Sequence, residues 1–382
     1  ILFLTCRGRN GCYRFIADKQ RAPKEGRISG SFLMSSVPSS SEYRFSFSPY
    51  PTGWFCVGWS EEVAVGESKC IKYFGKDLVL FRTESGRACV ADAYCPHLGA
   101  HLGDGGLVEG ETIRCPFHHW KYDADGQCVE VPFAKVAPPT AKLNMWETVE
   151  QNGAILVWQD QKGRDPIWYT PEVDESDGLD VSFFNMDFDT LHTHPQEVLE
   201  NGPDWAHFHA VHGTWKMVPE EGGMKFDGHT WKSQIKAIRP ENDDRAQEEF
   251  GGVIHHSWAV GPGTWGTSSV GERSFGFRTK HLFFATPIDE LTTQLRMRHF
   301  LVPDPDNTMS VDEMKAVSDY VKDESKRQLM QDALIWRRKG YIENPILSAT
   351  DGPILKYREW YKQFYPENNI EIELGSYNEA AE

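Results

Sequence analysis

Two cysteines and two histidines stand in a pattern that can hold metal: Cys95-Pro96-His97 and Cys115-Pro116-Phe117-His118, with seventeen residues between His97 and Cys115. Each pair follows a strand-like run, so two loops would bring two thiolates and two imidazoles together. A structural zinc site takes the same donor set. Three features point instead to an iron–sulfur cluster. The Cys-x-His spacing of the first pair is unusual in zinc fingers. A proline after each cysteine stiffens its loop and helps aim backbone N–H groups at sulfur. Both loops also sit in a β-rich module and not on a ββα finger. A second stretch, from Glu200 through Asn201, Asp204, His207 and His209 to His212, offers imidazoles beside carboxylates. Two histidines and one carboxylate on one face of Fe(II) are the donor set of non-haem enzymes that activate O2, and they leave the opposite face open.

His207 and His212 are five residues apart, about 140° round an ideal helix, so a helix carrying them must end or distort between them. A carboxylate elsewhere in the chain could complete such a set. Leu329, Asp332, Ala333 and Trp336 follow the i, i+3, i+4, i+7 pattern, which puts Asp332 on an apolar stripe. A carboxylate there is costly unless it is paired or metal-bound, and a structural salt bridge is the alternative reading. Asp323, Glu324 and Asp351 fit less well. His101, His119, His192, His194 and His209 read as bystanders, and Cys56, Cys70, Cys89 and Cys128 as small buried strand residues.

The elements that must position these groups fall into two sets. From Pro51, short apolar runs alternate with turn signals (CIKYF, DLVLFRT, ESGR, ACVADAY, KYDADGQCVEVPF, GAILVWQD), the rhythm of an all-β module. The stretch QKGRDPIWYTPEVDESDGLD reads as a linker. Beyond it VSFFNMDFD, FGFRTKHLFFATP and TTQLRMRHFLVP read as strands, with helices over about 310–339 and 354–364. Strands followed by long helices imply an α+β domain with helices packed on an antiparallel sheet. The boundaries are read as an extension over 1–50, an all-β domain over 51–165 and a catalytic domain over 166–382.

Forty basic against fifty-six acidic residues give a formal net charge of −16, which argues against nucleic acid as a partner. Eight cysteines in 382 residues are too few for a disulfide scaffold and suit metal binding in a reducing compartment. The high aromatic content, with thirteen Trp, suits a large apolar pocket. No apolar run reaches the roughly 18 residues of a membrane span, so a soluble, cytoplasmic protein is expected. Residues 1–33 carry seven Lys and Arg against Asp18 and Glu25. Translated sequence upstream of a start at Met34 is the favoured reading, ahead of an organelle transit peptide. Peripheral membrane association for sterol uptake and organelle targeting are both left open.

The segment CPHLGAH…CPFHHW resembles the Rieske signature, and Asn201-x2-Asp204-x2-His207-x4-His212 resembles the mononuclear iron motif of Rieske oxygenases. From about Pro51 to Tyr365 the chain is similar to Rieske-type non-haem iron oxygenases, most nearly bacterial 3-ketosteroid 9α-hydroxylases and sterol 7-desaturases. GWFCVGW, HPQEVLENGPDWAHFHAVH, QDALIW and KYREWYKQFY carry that likeness. The resemblance implies an N-terminal Rieske domain with a [2Fe–2S] cluster, Cys95 and Cys115 on one iron and His97 and His118 on the other. It implies a helix-grip (START-like) catalytic domain with Fe(II) held by His207, His212 and Asp332. Asp204 and Asn201 would belong to the catalytic machinery, Asp204 bonding a ring N–H of His207 and reaching a Rieske histidine of a neighbouring subunit in a homotrimer. The expected activity is O2- and NAD(P)H-dependent oxidation of a steroid or sterol C–H bond, by hydroxylation or desaturation. With no dinucleotide fingerprint in this chain, electrons would arrive from a separate flavin or ferredoxin reductase. Desaturases of this kind usually carry a transmembrane segment before the Rieske domain, and none is visible here. The alternatives are a Rieske oxygenase acting on smaller aromatic rings, and an electron-transfer protein without oxygenase activity.

Overall fold

The computed structural model describes residues 43–172, 182–213, 216–238, 252–271, 276–304 and 309–368, together with two short paired strands, β1 (Cys6–Arg7) and β2 (Arg14–Phe15). Apart from those two strands, the leader expected over residues 1–33 lies outside the described residues.

The first domain is a stack of antiparallel layers. β3 (Gly53–Trp59) and β13 (Ala154–Gln159) pair with each other, and β12 (Thr148–Gln151) flanks β13. β3, and β13 up to its last residue Gln159, are apolar because both faces are buried. Phe55, Val57, Ile155 and Val157 face an inner core, whereas Trp54, Cys56, Leu156 and Trp158 face the second domain. Across the inner core lies a sheet of β4 (Ser68–Tyr73), β5 (Lys76–Arg82), β6 (Ala88–Asp92) and β11 (Met145–Trp146). Leu78, Leu80, Ala88 and Val90 of this sheet join that inner core. The alternate residues Val79, Phe81, Cys89 and Ala91 face a third core with Cys95, Cys115, Ile113 and Tyr122. That core is capped by a small sheet of β7 (Leu107–Glu109), β8 (Thr112–Arg114), β9 (Lys121–Asp123) and β10 (Cys128–Glu130).

The second domain is one seven-stranded antiparallel sheet. It contains β14 (Ser182–Leu191), β15 (Lys216–Asp227), β16 (Thr230–Ile238), β17 (Val253–Val260), β18 (Thr264–Gly271), β19 (Phe277–Pro287) and β20 (Thr293–Pro303), in the order β14-β20-β19-β18-β17-β16-β15. A long helix, Val311–Trp336, packs on it, so the α+β expectation of helices on an antiparallel sheet is met. Its start is a capping box: the Ser310 backbone N–H donates to Glu313 Oε2 (2.8 Å) and the Glu313 N–H donates to Ser310 Oγ (3.3 Å). Its buried stripe runs Val317, Val321, Ser325, Leu329, Asp332, Ala333 and Trp336. The helix Ile354–Tyr361 buries Tyr357, Trp360 and Tyr361. Part of the stretch read as a linker is packed: Trp168 is 4% exposed and lies in the core beside Trp158 and Phe364.

Strand β20 separates the two domains' chemistry by its two-residue period. Leu295, Met297 and His299 face a cavity under the long helix. Arg296 and Arg298 face the first domain, pairing with Glu62 (2.9 Å) and Glu61 (2.6 Å), with Arg298 over the Trp59 ring at 4.6 Å. No described helix is long and apolar enough to cross a membrane.

Candidate metal centres

The two cysteine loops are built alike. The Cys95 N–H donates to Ala100 O (2.9 Å) while Cys95 O accepts from Gly99 N–H (2.9 Å); the Cys115 N–H donates to Trp120 O (2.8 Å) while Cys115 O accepts from His119 N–H (3.1 Å). In both loops the fourth residue after cysteine turns left-handed, Gly99 at φ +76° and His119 at φ +60°. His119 therefore has a backbone position in its loop, and nothing places it among the donors. Both cysteines are buried and face the third core. Burial pushes the Cys95 thiol above its ordinary pKa, so a bound metal would be what keeps it a thiolate. The Tyr122 hydroxyl lies 3.1 Å from Cys95 Sγ, a contact that sequence reading did not anticipate. His97 stacks flat on Trp120 (centroids 4.2 Å, planes 10° apart) and meets His118 edge-on at 4.7 Å.

Among the described residues, only His207, His212 and Asp332 form a group of three or more donors whose atoms all lie within 4.8 Å of one another. Two buried cysteines and a contacting pair of histidines, one pair for each iron, fit the donor set of a Rieske cluster.

The mononuclear group is assembled by two helices. Asp204 caps the helix Trp205–Ala210, which ends before His212, so the break expected between the two histidines is present. His207 Nδ1 lies 2.5 Å from the Asp204 carbonyl oxygen, and His212 Nδ1 lies 3.0 Å from Gln331 Oε1. An acceptor at each Nδ1 fixes the tautomer and leaves Nε2 with its lone pair towards the centre. Burial holds the His207 imidazole below its ordinary pKa, which keeps that lone pair available. His212 Nε2 is 3.4 Å from Asp332 Oδ1, and the other carboxylate oxygen, Oδ2, accepts from Asn201 Nδ2 at 3.0 Å. Asn201 thus orients the carboxylate. The Asp204 carboxylate sits 3.9 Å from His207 Nδ1, beyond a hydrogen bond, and keeps 37% of its side-chain surface exposed. Its backbone carbonyl, and not its side chain, takes the ring N–H. Gln331 was missed because it lies off the apolar stripe; only its place beside Asp332 could have pointed to it. This donor set of two imidazoles and one buried carboxylate fits Fe(II) with an open face.

A family model of the 3-ketosteroid 9α-hydroxylase C-terminal domain matches residues 157–365, and one of the Rieske [2Fe–2S] domain matches residues 53–146. This chain belongs to the Rieske oxygenases of the 3-ketosteroid 9α-hydroxylase family. The oxygenase is 32% identical to cholesterol 7-desaturase of Drosophila melanogaster, over 84% of this chain and 76% of that protein. It is 33% identical to cholesterol 7-desaturase of Caenorhabditis elegans, over 84% and 78%. It is 30% identical to the oxygenase component of a 3-ketosteroid-9-alpha-monooxygenase of Rhodococcus rhodochrous, over 83% and 84%. Its fold matches dicamba monooxygenase with a TM-score of 0.65 at 16% identity, covering 84% of this chain and 98% of that one. The cofactors of the family are the Rieske cluster and a mononuclear iron, with O2 as co-substrate.

Proposed function

We propose that this oxygenase oxidises a C–H bond of a steroid or sterol, by hydroxylation or by desaturation such as cholesterol 7-desaturation. The observation that carries the substrate class is the wall of the cavity of about 90 Å³ that opens on His207, His212 and Asp332. Its walls combine apolar side chains, among them Phe208, Trp265, Leu295 and Trp336, with polar ones such as Ser257 and Thr267, and no Lys or Arg lines it among the described residues. A carboxylate-bearing aromatic substrate would find no counter-charge there, whereas a neutral hydrocarbon frame loses only water. A tetracyclic ligand exceeds that volume, so binding one would require the cavity to widen.

Cys95, His97, Cys115 and His118 would hold the cluster, and His207, His212 and Asp332 the iron; when bound, these supply single electrons and the activation of O2. The chain's own residues do the positioning. Asn201 and Gln331 fix Asp332 and His212, the Asp204 carbonyl fixes His207, and apolar side chains such as Phe208, Trp265, Leu329 and Trp336 keep water from the reacting C–H. Within one chain the cysteine loops and the cavity are separated by three sheets and the cores between them, on the order of 30 Å at ordinary sheet spacing. This supports electron transfer between neighbouring subunits of a homotrimer, with the exposed Asp204 carboxylate meeting a neighbour's Rieske histidine. Electrons would come from a separate NAD(P)H-dependent flavin or ferredoxin reductase. We place the Rieske domain at residues 51–165 and the catalytic domain at 166–382.

The test is mass spectrometry of products under 18O2, with a surrogate reductase, NADH, and a panel of cholesterol, related sterols and 3-ketosteroids. One labelled oxygen in the product identifies a hydroxylase, and loss of two hydrogens without label a desaturase. Turnover of small aromatic rings alone would overturn the steroid reading.

A further inference from the structure

The sheet wall of the cavity is polar where a core is normally apolar. Cross-strand register sets Ser257 opposite Thr267, Thr267 opposite His281, and His281 opposite His299, so one continuous row crosses β17, β18, β19 and β20. All four side chains line the cavity that also opens on His207, His212 and Asp332. Ser257, His281 and His299 are 6%, 7% and 1% exposed. A buried polar row weakens a core unless its hydrogen bonds are met. Those of the neighbouring His255 are met in part, its Nδ1 lying 2.6 Å from Ser269 Oγ. Those of His299 are met only on one side: its Nδ1 pairs with His281 Nδ1 at 2.5 Å, and its Nε2 has no hydrogen-bond partner among the described residues.

We propose that Ser257, Thr267, His281 and His299 form a subsite that binds the one neutral oxygen, hydroxyl or ketone, carried by an otherwise hydrocarbon substrate. The inference rests on the steroid reading above and deepens it. Two imidazoles that share a proton between their Nδ1 atoms must be opposite tautomers. The ring that donates keeps a lone pair on Nε2, and the ring that accepts keeps an N–H there. The pair therefore always offers one outer donor and one outer acceptor. A hydroxyl meets either, and a ketone meets the donor. Burial holds His299 down to about 3 and His281 well below its ordinary value, so both rings stay neutral at working pH. Neutral rings, with no Lys or Arg in the wall among the described residues, select an uncharged oxygen over a carboxylate or sulfate. Hydrogen bonding at the sheet wall and the metal group at the helix wall together fix which carbon of a rigid frame meets the open iron face.

The test is equilibrium binding of cholesterol and of its 3-deoxy analogue cholest-5-ene to the holoenzyme and to His299→Phe and Thr267→Val. Circular dichroism and the visible bands of the cluster report folding, and Thr267→Val stands in if the histidine variant fails to fold. The wild type is expected to favour cholesterol by about tenfold or more, the worth of one or two buried hydrogen bonds. In the variants that ratio falls towards one while the affinity for cholest-5-ene holds. Equal binding of the two ligands by the wild type, or an undiminished ratio in folded variants, overturns the subsite and leaves the steroid reading standing. If the wild type binds and turns over neither these nor 3-ketosteroids, the steroid reading itself fails and the subsite with it.

Discussion

Replacing Gln331 by Met should loosen the mononuclear iron and leave the cluster in place. Gln331 Oε1 lies 3.0 Å from His212 Nδ1 and 3.0 Å from the Arg327 guanidinium, so it is held from one side while it orients the imidazole on the other. Methionine keeps the length of the side chain and removes the acceptor. His212 then loses the bond that sets its tautomer, and Nε2 is free to carry the proton instead of the lone pair. Loss of such an outer partner costs about 10- to 100-fold in metal affinity, or about 1.4 to 2.7 kcal/mol. The cluster lies in the other domain and should keep its full complement, so its visible absorbance serves as an internal standard. The assay is iron content per chain against a graded Fe(II) chelator, where the weakly held fraction should be lost at about 10- to 100-fold lower chelator strength than in the wild type. An unchanged titration curve in a folded, cluster-loaded variant would refute the argument that Gln331 holds His212.

Asp204→Asn should keep both metals yet lose turnover, because the exposed carboxylate is replaced while the backbone carbonyl on His207 stays; iron content and product formation check this together, and full activity would sink the inter-subunit route. Gly99→Ala should lower stability by about 1 kcal/mol through backbone conformation alone, since φ is +76° and no atom lies within 4 Å of the added Cβ; a urea midpoint unchanged from the wild type would contradict it. Acid should destabilise the protein through buried neutral histidines. Burial depresses His194, His255 and His299 to about 3 from an ordinary 6.5, so the unfolded chain takes up their protons first. Their stabilisation is complete above 6.5 and is lost as pH falls from there towards 3, at about 1.4 kcal/mol per unit for each group. Thermal midpoints at pH 7.5 and 5.5 should therefore differ sharply, and less so in His194→Asn; midpoints that do not move with pH would count against it.

That His207, His212 and Asp332 meet in space was legible because each lies where local pattern speaks: two in one short motif and one on a helical stripe. The long helix was legible for the same reason, its capping box and apolar period lying within one stretch of chain. Strands β15 to β18 were not. The buried faces of β16 to β18 carry Ser233, His255, Ser257, Thr267 and Ser269, which erase the alternation of apolar and polar residues by which a half-buried strand is read. The property that hid those strands is the one that gives the cavity its polar wall. Contacts such as Tyr122 on Cys95, or Asn201 on Asp332 across 131 positions, depend on tertiary packing and leave no trace in spacing. The linker reading failed for Trp168 because Pro and Gly content reports chain direction and is silent on which side chain a neighbouring core accepts.

The alternation along β20 also says how such a protein can change over time. Leu295, Met297 and His299 meet the substrate space while Arg296 and Arg298 hold the neighbouring domain. Point substitutions at the odd positions can reshape what is bound without touching the arginines that hold the two domains together. Insertion or loss of a single residue would exchange the two faces at once and ruin both. New specificities on this scaffold should arise by replacement along the strand, with strand length held constant.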